Sequence, residues 1–271
     1  MKNIPKIAHF YWGNKVLPYL RYLTLYSFKK YNPDWEIKLY VPKVLQSEMS
    51  WASSEHKFPI SCKNYSSRVE SLGIKIIPFD FETINVSNSL SEVIKSDFLR
   101  WHLLSTQGGL WSDMDILFFR PISQIVMDKN VDTVLCFQDG VWSVGFMMSS
   151  SGNQVFKHLD NVAQSCFDPQ AYQSLGRVLQ TRNLKTIQEI HTKFPEVCVY
   201  NLLMDIVYPI DSTRINKIYT TNNMRFLRPN SIGLHWYAGK QVLGHWINKI
   251  DEDTYIRYDN IICKLIRRVV N

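Results

Sequence analysis

The sequence predicts an α/β domain whose central sheet is mostly parallel. Two observations predict it. Short apolar runs of strand length recur through the first half of the chain, and helical stretches separate them. Strand, helix, strand, helix, strand in that order is the pattern of a parallel sheet covered by helices.

The elements follow in chain order. Ile7–Trp12, Glu36–Val41, Ile74–Pro78, Trp111–Phe119 and Thr133–Phe137 read as buried strands. Between the first two, Tyr19–Tyr31 reads as a helix stopped by Asn32-Pro33. Val44–Ser71 is polar and irregular, the composition of an insertion. Leu159–Lys193 reads as helical, with breaks at Asp168-Pro169 and near Gly176. In Tyr255–Val270, Tyr258, Ile262, Leu265, Ile266 and Val269 share one helical face, with Lys264, Arg267 and Arg268 opposite. That face either packs on the domain or lies on an anionic membrane surface. No internal repeat or linker calls for a second independent domain. The expected division is one domain over 1–250 and an amphipathic basic helix over 251–271.

With 271 residues and 45% hydrophobic side chains, the chain can bury a sizeable core. Its 31 basic and 24 acidic side chains leave a charge of +7, which favours anionic partners. Five scattered cysteines without a C-x-x-C pair fit neither a zinc site nor a disulfide framework, and point to a reducing, cytoplasmic setting. MKNIPKIAHFYWGN has no apolar core of a signal peptide, and no stretch approaches the roughly 20 apolar residues of a membrane span.

The chemistry gathers between Ser91 and Pro121. Ser91 is a candidate N-cap and Gly108 a left-handed helix end, so the segment between them is a helix. Val93, Ile94, Phe98, Trp101 and Leu104 form its apolar arc, yet Asp97 falls inside that arc and Arg100 at its edge. Glu92, Lys95 and Thr106 fall on the far side. An i, i+3 ion pair explains the Asp97–Arg100 pairing but not its placement, which a polar ligand pocket does explain. Gly108-Gly109 then turns the chain into a strand where Asp113 and Asp115, two residues apart, share one side. Two carboxylates among apolar neighbours stay charged only if a cation or good hydrogen bonds compensate for their desolvation. A hard divalent ion, Mg²⁺ or Mn²⁺, suits them, and such an ion commonly takes substrate phosphates as further ligands.

Ser96-Asp97-x-x-Arg100-x-x-x-Leu104-x-x-x-Gly108-Gly109-x-x-x-Asp113-x-Asp115 resembles the hallmark of the DXD-containing sugar-transferase superfamily. Initiating mannosyltransferases, capsule and lipopolysaccharide transferases and the glucosyltransferase domains of large clostridial toxins belong to it. Ile4-Pro5-Lys6-Ile7-Ala8-His9-Phe10-Tyr11-Trp12-Gly13 and Gly233-Leu234-His235-Trp236-Tyr237-Ala238-Gly239-Lys240 are similar to its first strand and closing segment. The resemblance implies a GT-A catalytic domain over 1–250, with a nucleotide-binding half at about 1–121 and an acceptor half at about 122–250, and a retaining, metal-dependent transfer from a nucleotide sugar to a glycan or lipid-linked glycan. Trp12 would stack on the base, Asp97 would hold donor hydroxyls and Arg100 the donor sugar or phosphate. Asp113 would touch the ribose and the metal's water shell, Asp115 and His235 would bind the metal, and Lys240 would close on the diphosphate. The expected cofactor is Mn²⁺ or Mg²⁺ and the expected donor a UDP-hexose or its N-acetyl form, with GDP-mannose as the alternative. Asp139, in Cys136-Phe137-Gln138-Asp139-Gly140, is a candidate on the acceptor side. Where relatives carry an S-N-A-like motif, this chain has Trp142-Ser143-Val144-Gly145. A metal-dependent phosphodiesterase, a non-catalytic glycan- or sugar-nucleotide-binding module and a toxin acting on a host protein are the rival classes. Nucleic acid is not an expected partner, because no dense basic-aromatic stripe is present.

Overall fold

The computed structural model describes residues 4–45, 61–169, 174–239 and 244–271. Its centre is a seven-stranded sheet made of β1 (Ile7–Tyr11), β2 (Glu36–Pro42), β3 (Lys75–Phe79), β4 (Gly109–Ser112), β6 (Thr133–Gln138), β7 (Val141–Ser149) and β8 (Val199–Asn201). The strand order is β3-β2-β1-β4-β7-β6-β8. The first four strands run parallel, β7 is antiparallel to both its neighbours, and β8 returns parallel to β6. A two-stranded antiparallel ribbon, β5 (Ile116–Phe118) with β9 (Gly233–His235), stands apart from the main sheet.

The inner strands β1 and β4 read as unbroken apolar runs because both faces of the sheet are covered there, whereas the edge strand β3 is mostly exposed. Successive residues enter different clusters, as the period of two requires. Ala8, Phe10, Ile37, Leu39, Val134, Phe146 and Met148 pack with α1 (Tyr19–Tyr31) and the carboxyl-terminal α8 (Ile261–Val270). Tyr11, Tyr40, Leu135 and Met147 pack on the other face with α2 (Glu92–Thr106) and α3 (Gln154–Cys166). The long helical stretch breaks as expected into α3, α4 (Arg177–Asn183) and α5 (Ile187–Lys193). Two short helices, α6 (Asn216–Thr220) and α7 (Gly244–Lys249), precede α8. Much of the expected insertion, residues 46–60, lies outside the described residues.

Two expectations need correction. Trp111–Phe119 is not one strand: the chain leaves the main sheet after Ser112, turns through Asp113–Asp115, and enters the ribbon at Ile116. Glu92 and Lys95 do not face solvent either. Both are fully buried; Lys95 Nζ donates to Glu92 Oε1 at 2.9 Å, and the Tyr11 hydroxyl donates to Glu92 Oε2. They face the end of β1 and the segment at Phe81: a Cβ on Gly13 would run into Glu92, and Lys95 Nζ lies 5.6 Å from the centre of the Phe81 ring, so this side of α2 is interior too. Of the two readings of the carboxyl-terminal helix α8, packing on the domain is the one seen: Ile262, Leu265, Ile266 and Val269 are buried in the core shared with β1. Membrane docking through that face would require pulling it out of the core. Asn260 caps the helix through Cys263 N at 3.0 Å, and Lys30 Nζ donates to Val269 O at 2.6 Å at its far end. Among the described residues no helix is long and apolar enough to cross a membrane.

The glycine pair ahead of the carboxylates is dictated by backbone geometry. Gly108 and Gly109 have φ of 67° and 95°. A Cβ on Gly109 would sit 2.4 Å from Ile7 O, so only glycine lets β4 dock against β1. His9 holds the same corner from beneath. It is fully buried, with Nε2 2.8 Å from Gly108 O and Nδ1 3.2 Å from Tyr40 Oη. Nε2 therefore carries the proton and Nδ1 accepts from the tyrosine.

Burial pushes the His9 pKa from its ordinary 6.5 down to about 4, against the opposing effect of the Gly108 carbonyl. The fold holds neutral His9, so the unfolded chain gains a proton first as pH falls. Stability drops from pH 6.5 downward and the loss levels off below about pH 4, amounting to about 3 kcal/mol. Urea midpoints measured at pH 7 and pH 4.5 should converge partly in His9→Gln. Equal pH slopes in both proteins would contradict this role.

Candidate functional site

The site lies where the chain crosses from the main sheet to the ribbon. Met114 is buried in the core, and its carbonyl accepts from Thr24 Oγ1 at 3.0 Å, while Asp113 and Asp115 on either side line a cavity of about 440 Å³. The i, i+2 reading therefore puts both carboxylates on one side even though the strand is broken. β9 supplies the third group. Its register sets His235 opposite Ile116, and Trp236 N donates to Asp115 O at 2.8 Å, which brings His235 Nε2 to 3.1 Å from Asp115 Oδ1.

One ligand atom from each of Asp113, Asp115 and His235 lies within 4.8 Å of the others. Around Mg²⁺ or Mn²⁺, with ligand distances near 2.1 Å, neighbouring ligands are about 3.0 Å apart and opposite ones about 4.2 Å. The three groups need only a small closure to share one ion. Two carboxylates and an imidazole also suit a hard or borderline divalent cation.

Each ligand is held from behind. Asp115 Oδ2 accepts from Ala238 N at 2.9 Å. Burial opposes ionisation of Asp115, but His235, Arg21 and the Ala238 amide outweigh it and hold the carboxyl below the usual range. Asp113 Oδ1 accepts from Trp111 Nε1 at 2.9 Å and from Arg100 at 3.3 Å. The same Arg100 nitrogen is 2.9 Å from Asp97 Oδ1. Asp97 is buried, and that burial, eased by Arg100, raises its pKa to about 6. The Asp97–Arg100 pair thus exists and is interior; neither residue lines the cavity, and Arg100 acts on it through Asp113. Gly145 leaves room for these groups, since a Cβ there would lie 2.7 Å from Asp113 Oδ2 and 3.0 Å from the Tyr208 hydroxyl.

Other expected residues are placed differently. Trp12 is buried, its Nε1 donates to Val16 O at 3.1 Å, and the Arg21 guanidinium covers its ring at 4.9 Å, so a base stacking on that face displaces the arginine. Asp139 is exposed and does not line the cavity. With Gly140 it forms the two-residue turn between β6 and β7, both at positive φ (53° and 76°), the geometry that makes Asp-Gly a hairpin signal. Lys240 lies outside the described residues.

Sequence reasoning missed Arg21, Tyr208 and Tyr237. Tyr208 and Tyr237 flank the His235 ring at 5.1 and 4.2 Å. The Arg21 guanidinium lies between the Trp12 ring and the Trp236 ring, the latter at 5.1 Å. Burial pulls its pKa down, against the attraction of Asp115 and Asp113. An indole face gives a desolvated cation about 2 kcal/mol, whereas burying an ion costs several kcal/mol. The two rings position the guanidinium without replacing the hydrogen bonds it lacks. Buried polar atoms without a partner gather here: Arg21 Nε, Arg100 Nε and Nη1, Tyr208 Oη, His235 Nδ1 and Trp236 Nε1. Such a concentration marks a place completed by a polar ligand.

Similar structures share this arrangement of strands. The glycosyltransferase GlyE of Streptococcus pneumoniae TIGR4 superposes on 99% of this chain with a TM-score of 0.50 at 12% identity. The fold is that of the GT-A glycosyltransferases. This chain spans 61% of the length of that GlyE chain. The PaToxG glycosyltransferase (15% identity, 71% of this chain and 70% of that one, TM-score 0.46) and the galactosyltransferase LgtC (13%, 91% and 98%, 0.40) are also similar. Residues 74–174 match the family described as capsular polysaccharide synthesis protein. That segment contains Asp97, Arg100, Asp113 and Asp115, so the motif and the family match coincide. By fold the chain is similar to GT-A glycosyltransferases, and over residues 74–174 to capsular polysaccharide synthesis proteins. No curated protein matches the sequence.

Proposed function

We propose that this protein is a metal-dependent glycosyltransferase. It moves a hexose or N-acetylhexosamine from a nucleotide sugar, with retention, to a glycan acceptor in cell-surface polysaccharide synthesis. The observation that carries this reading is the convergence of Asp113, Asp115 and His235 on one wall of the cavity. These residues would hold Mg²⁺ or Mn²⁺, which when bound supplies positive charge opposite the oxygens of a leaving diphosphate. The chain's own groups set the stage for it. The Ala238 amide aims the Asp115 carboxylate and Arg100 aims that of Asp113. Charge fixed in advance where charge will develop is worth roughly 10²–10³ in rate per contact.

The cavity continues past the cluster to Ser143, Arg177, Asp211 and Ser212, polar groups suited to an acceptor's hydroxyls. A phosphodiesterase with two metals needs more ligands than this; among the described residues the three-residue cluster is the only such group. Calorimetric titration with UDP and with GDP, with Mn²⁺ and after chelation, tests the proposal. Metal-dependent UDP binding supports a UDP-sugar donor, and metal-dependent GDP binding instead supports mannosyl transfer. Binding of neither would defeat the proposal.

A further inference from the structure

Helix α1 has one polar stripe. Arg21, Thr24 and Ser27 are spaced three apart in an otherwise apolar run and so share a face. That face is docked on the carboxylate turn: Thr24 Oγ1 donates to Met114 O at 3.0 Å, and Phe118 N donates to Ser27 Oγ at 3.1 Å. Arg21, one turn ahead, is held between Trp12 at the end of β1 and Trp236, the residue after His235.

Among the described residues the Arg21 side chain makes no hydrogen bond and no ion pair, and its Nε is buried. Trp236 Nε1, in the same stack, is also buried and unpaired. Both are donors only. What the stack lacks is an acceptor, and a guanidinium fork matches the paired oxygens of a phosphate. The place is specific as well. The stack adjoins the carboxylate cluster, since Trp236 follows His235 directly, Trp236 N donates to Asp115 O, and Arg21 feels the charge of both Asp115 and Asp113.

We propose that Arg21 binds the diphosphate of the donor, on the opposite side from the Asp113–Asp115–His235 cluster. This rests on the reading of that cluster as a metal–diphosphate site. Arg21 is a binding residue here, and its two indole neighbours hold the fork in position before the donor arrives.

Two variants test it. Arg21→Met keeps the apolar stem between the rings, and Arg21→Lys keeps the charge without the fork. Binding of Mn²⁺ alone, of UDP and GDP with Mn²⁺, and of uridine and guanosine is measured by calorimetry for each. Arg21→Met should bind Mn²⁺ and the nucleosides like wild type while losing about 10- to 100-fold in diphosphate affinity. Arg21→Lys should fall between the two. Diphosphate affinity equal to wild type in Arg21→Met, with only thermal stability lowered, would make Arg21 a packing residue. If Arg21→Met does not fold, an unchanged affinity in Arg21→Lys contradicts the fork and a weakened one upholds it. A wild-type protein that binds Mn²⁺ but neither diphosphate would defeat the donor reading itself; tight binding in wild type and Arg21→Met alike defeats only this inference.

Discussion

Replacing Asp115 by asparagine should abolish metal-dependent nucleoside diphosphate binding and lower turnover by roughly 10³-fold or more, in a protein that still folds. The side chain sits at the centre of the site's connections. One oxygen faces His235 Nε2, the other accepts from Ala238 N, and its own carbonyl ties β5 to the segment after β9 through Trp236 N. Asparagine keeps the size, the backbone contacts and an oxygen for Ala238. It removes the charge that a divalent ion requires. Loss of an outer partner typically weakens metal binding about 10- to 100-fold, and loss of a ligand should weaken it more. Mn²⁺ binding followed by paramagnetic resonance, with circular dichroism as the folding control, checks this. Unchanged Mn²⁺ affinity in the folded variant would remove Asp115 from the metal site.

The second large effect concerns stability. Arg100→Met should destabilise the protein by about 3 kcal/mol, because Asp97 is then left buried without its cation. The Arg100 and Asp97 side chains are only 5% and 10% exposed, so solvent screens the pair little. Since burial already raises Asp97 to about 6, the variant relieves part of the strain by protonating that carboxyl. The double variant Asp97→Asn/Arg100→Met should recover much of the lost urea midpoint, since the uncompensated charge is gone. It should not recover metal-dependent activity, because Asp113 still lacks the guanidinium that holds it. A midpoint unchanged in Arg100→Met would mean that the pair behaves as a solvated surface bridge.

Local pattern and chain punctuation made much of the fold legible. The helix Tyr19–Tyr31 has the predicted bounds because Asn32-Pro33 ends it, and the glycine pair after α2 adopts the positive φ that its position implied. Asp113, Asp115 and His235 were legible as a set through the resemblance, since 120 residues separate His235 from Asp115 and only β-ribbon pairing unites them. Pairing between distant segments has no local signal. The same gap hid the burial of Glu92 and Lys95, since periodicity reports one apolar face and cannot say that the end of β1 and the Phe81 segment cover the other. Arg21 did leave a signal, the i, i+3 polar stripe on an apolar helix, which was readable but pointed at nothing until the turn it docks on was known. Asp139 illustrates the reverse: Asp-Gly between two apolar runs is turn chemistry, a local signal the sequence carried plainly.

The most direct measurement is release of nucleoside diphosphate from a panel of UDP- and GDP-sugars, with Mn²⁺ and after chelation, in wild type and Asp115→Asn. A metal-bearing donor site should release diphosphate from at least one sugar nucleotide, only with metal present and only in wild type. Release that is indifferent to chelation and to Asp115, or no release from any donor by a protein that binds Mn²⁺, would contradict it.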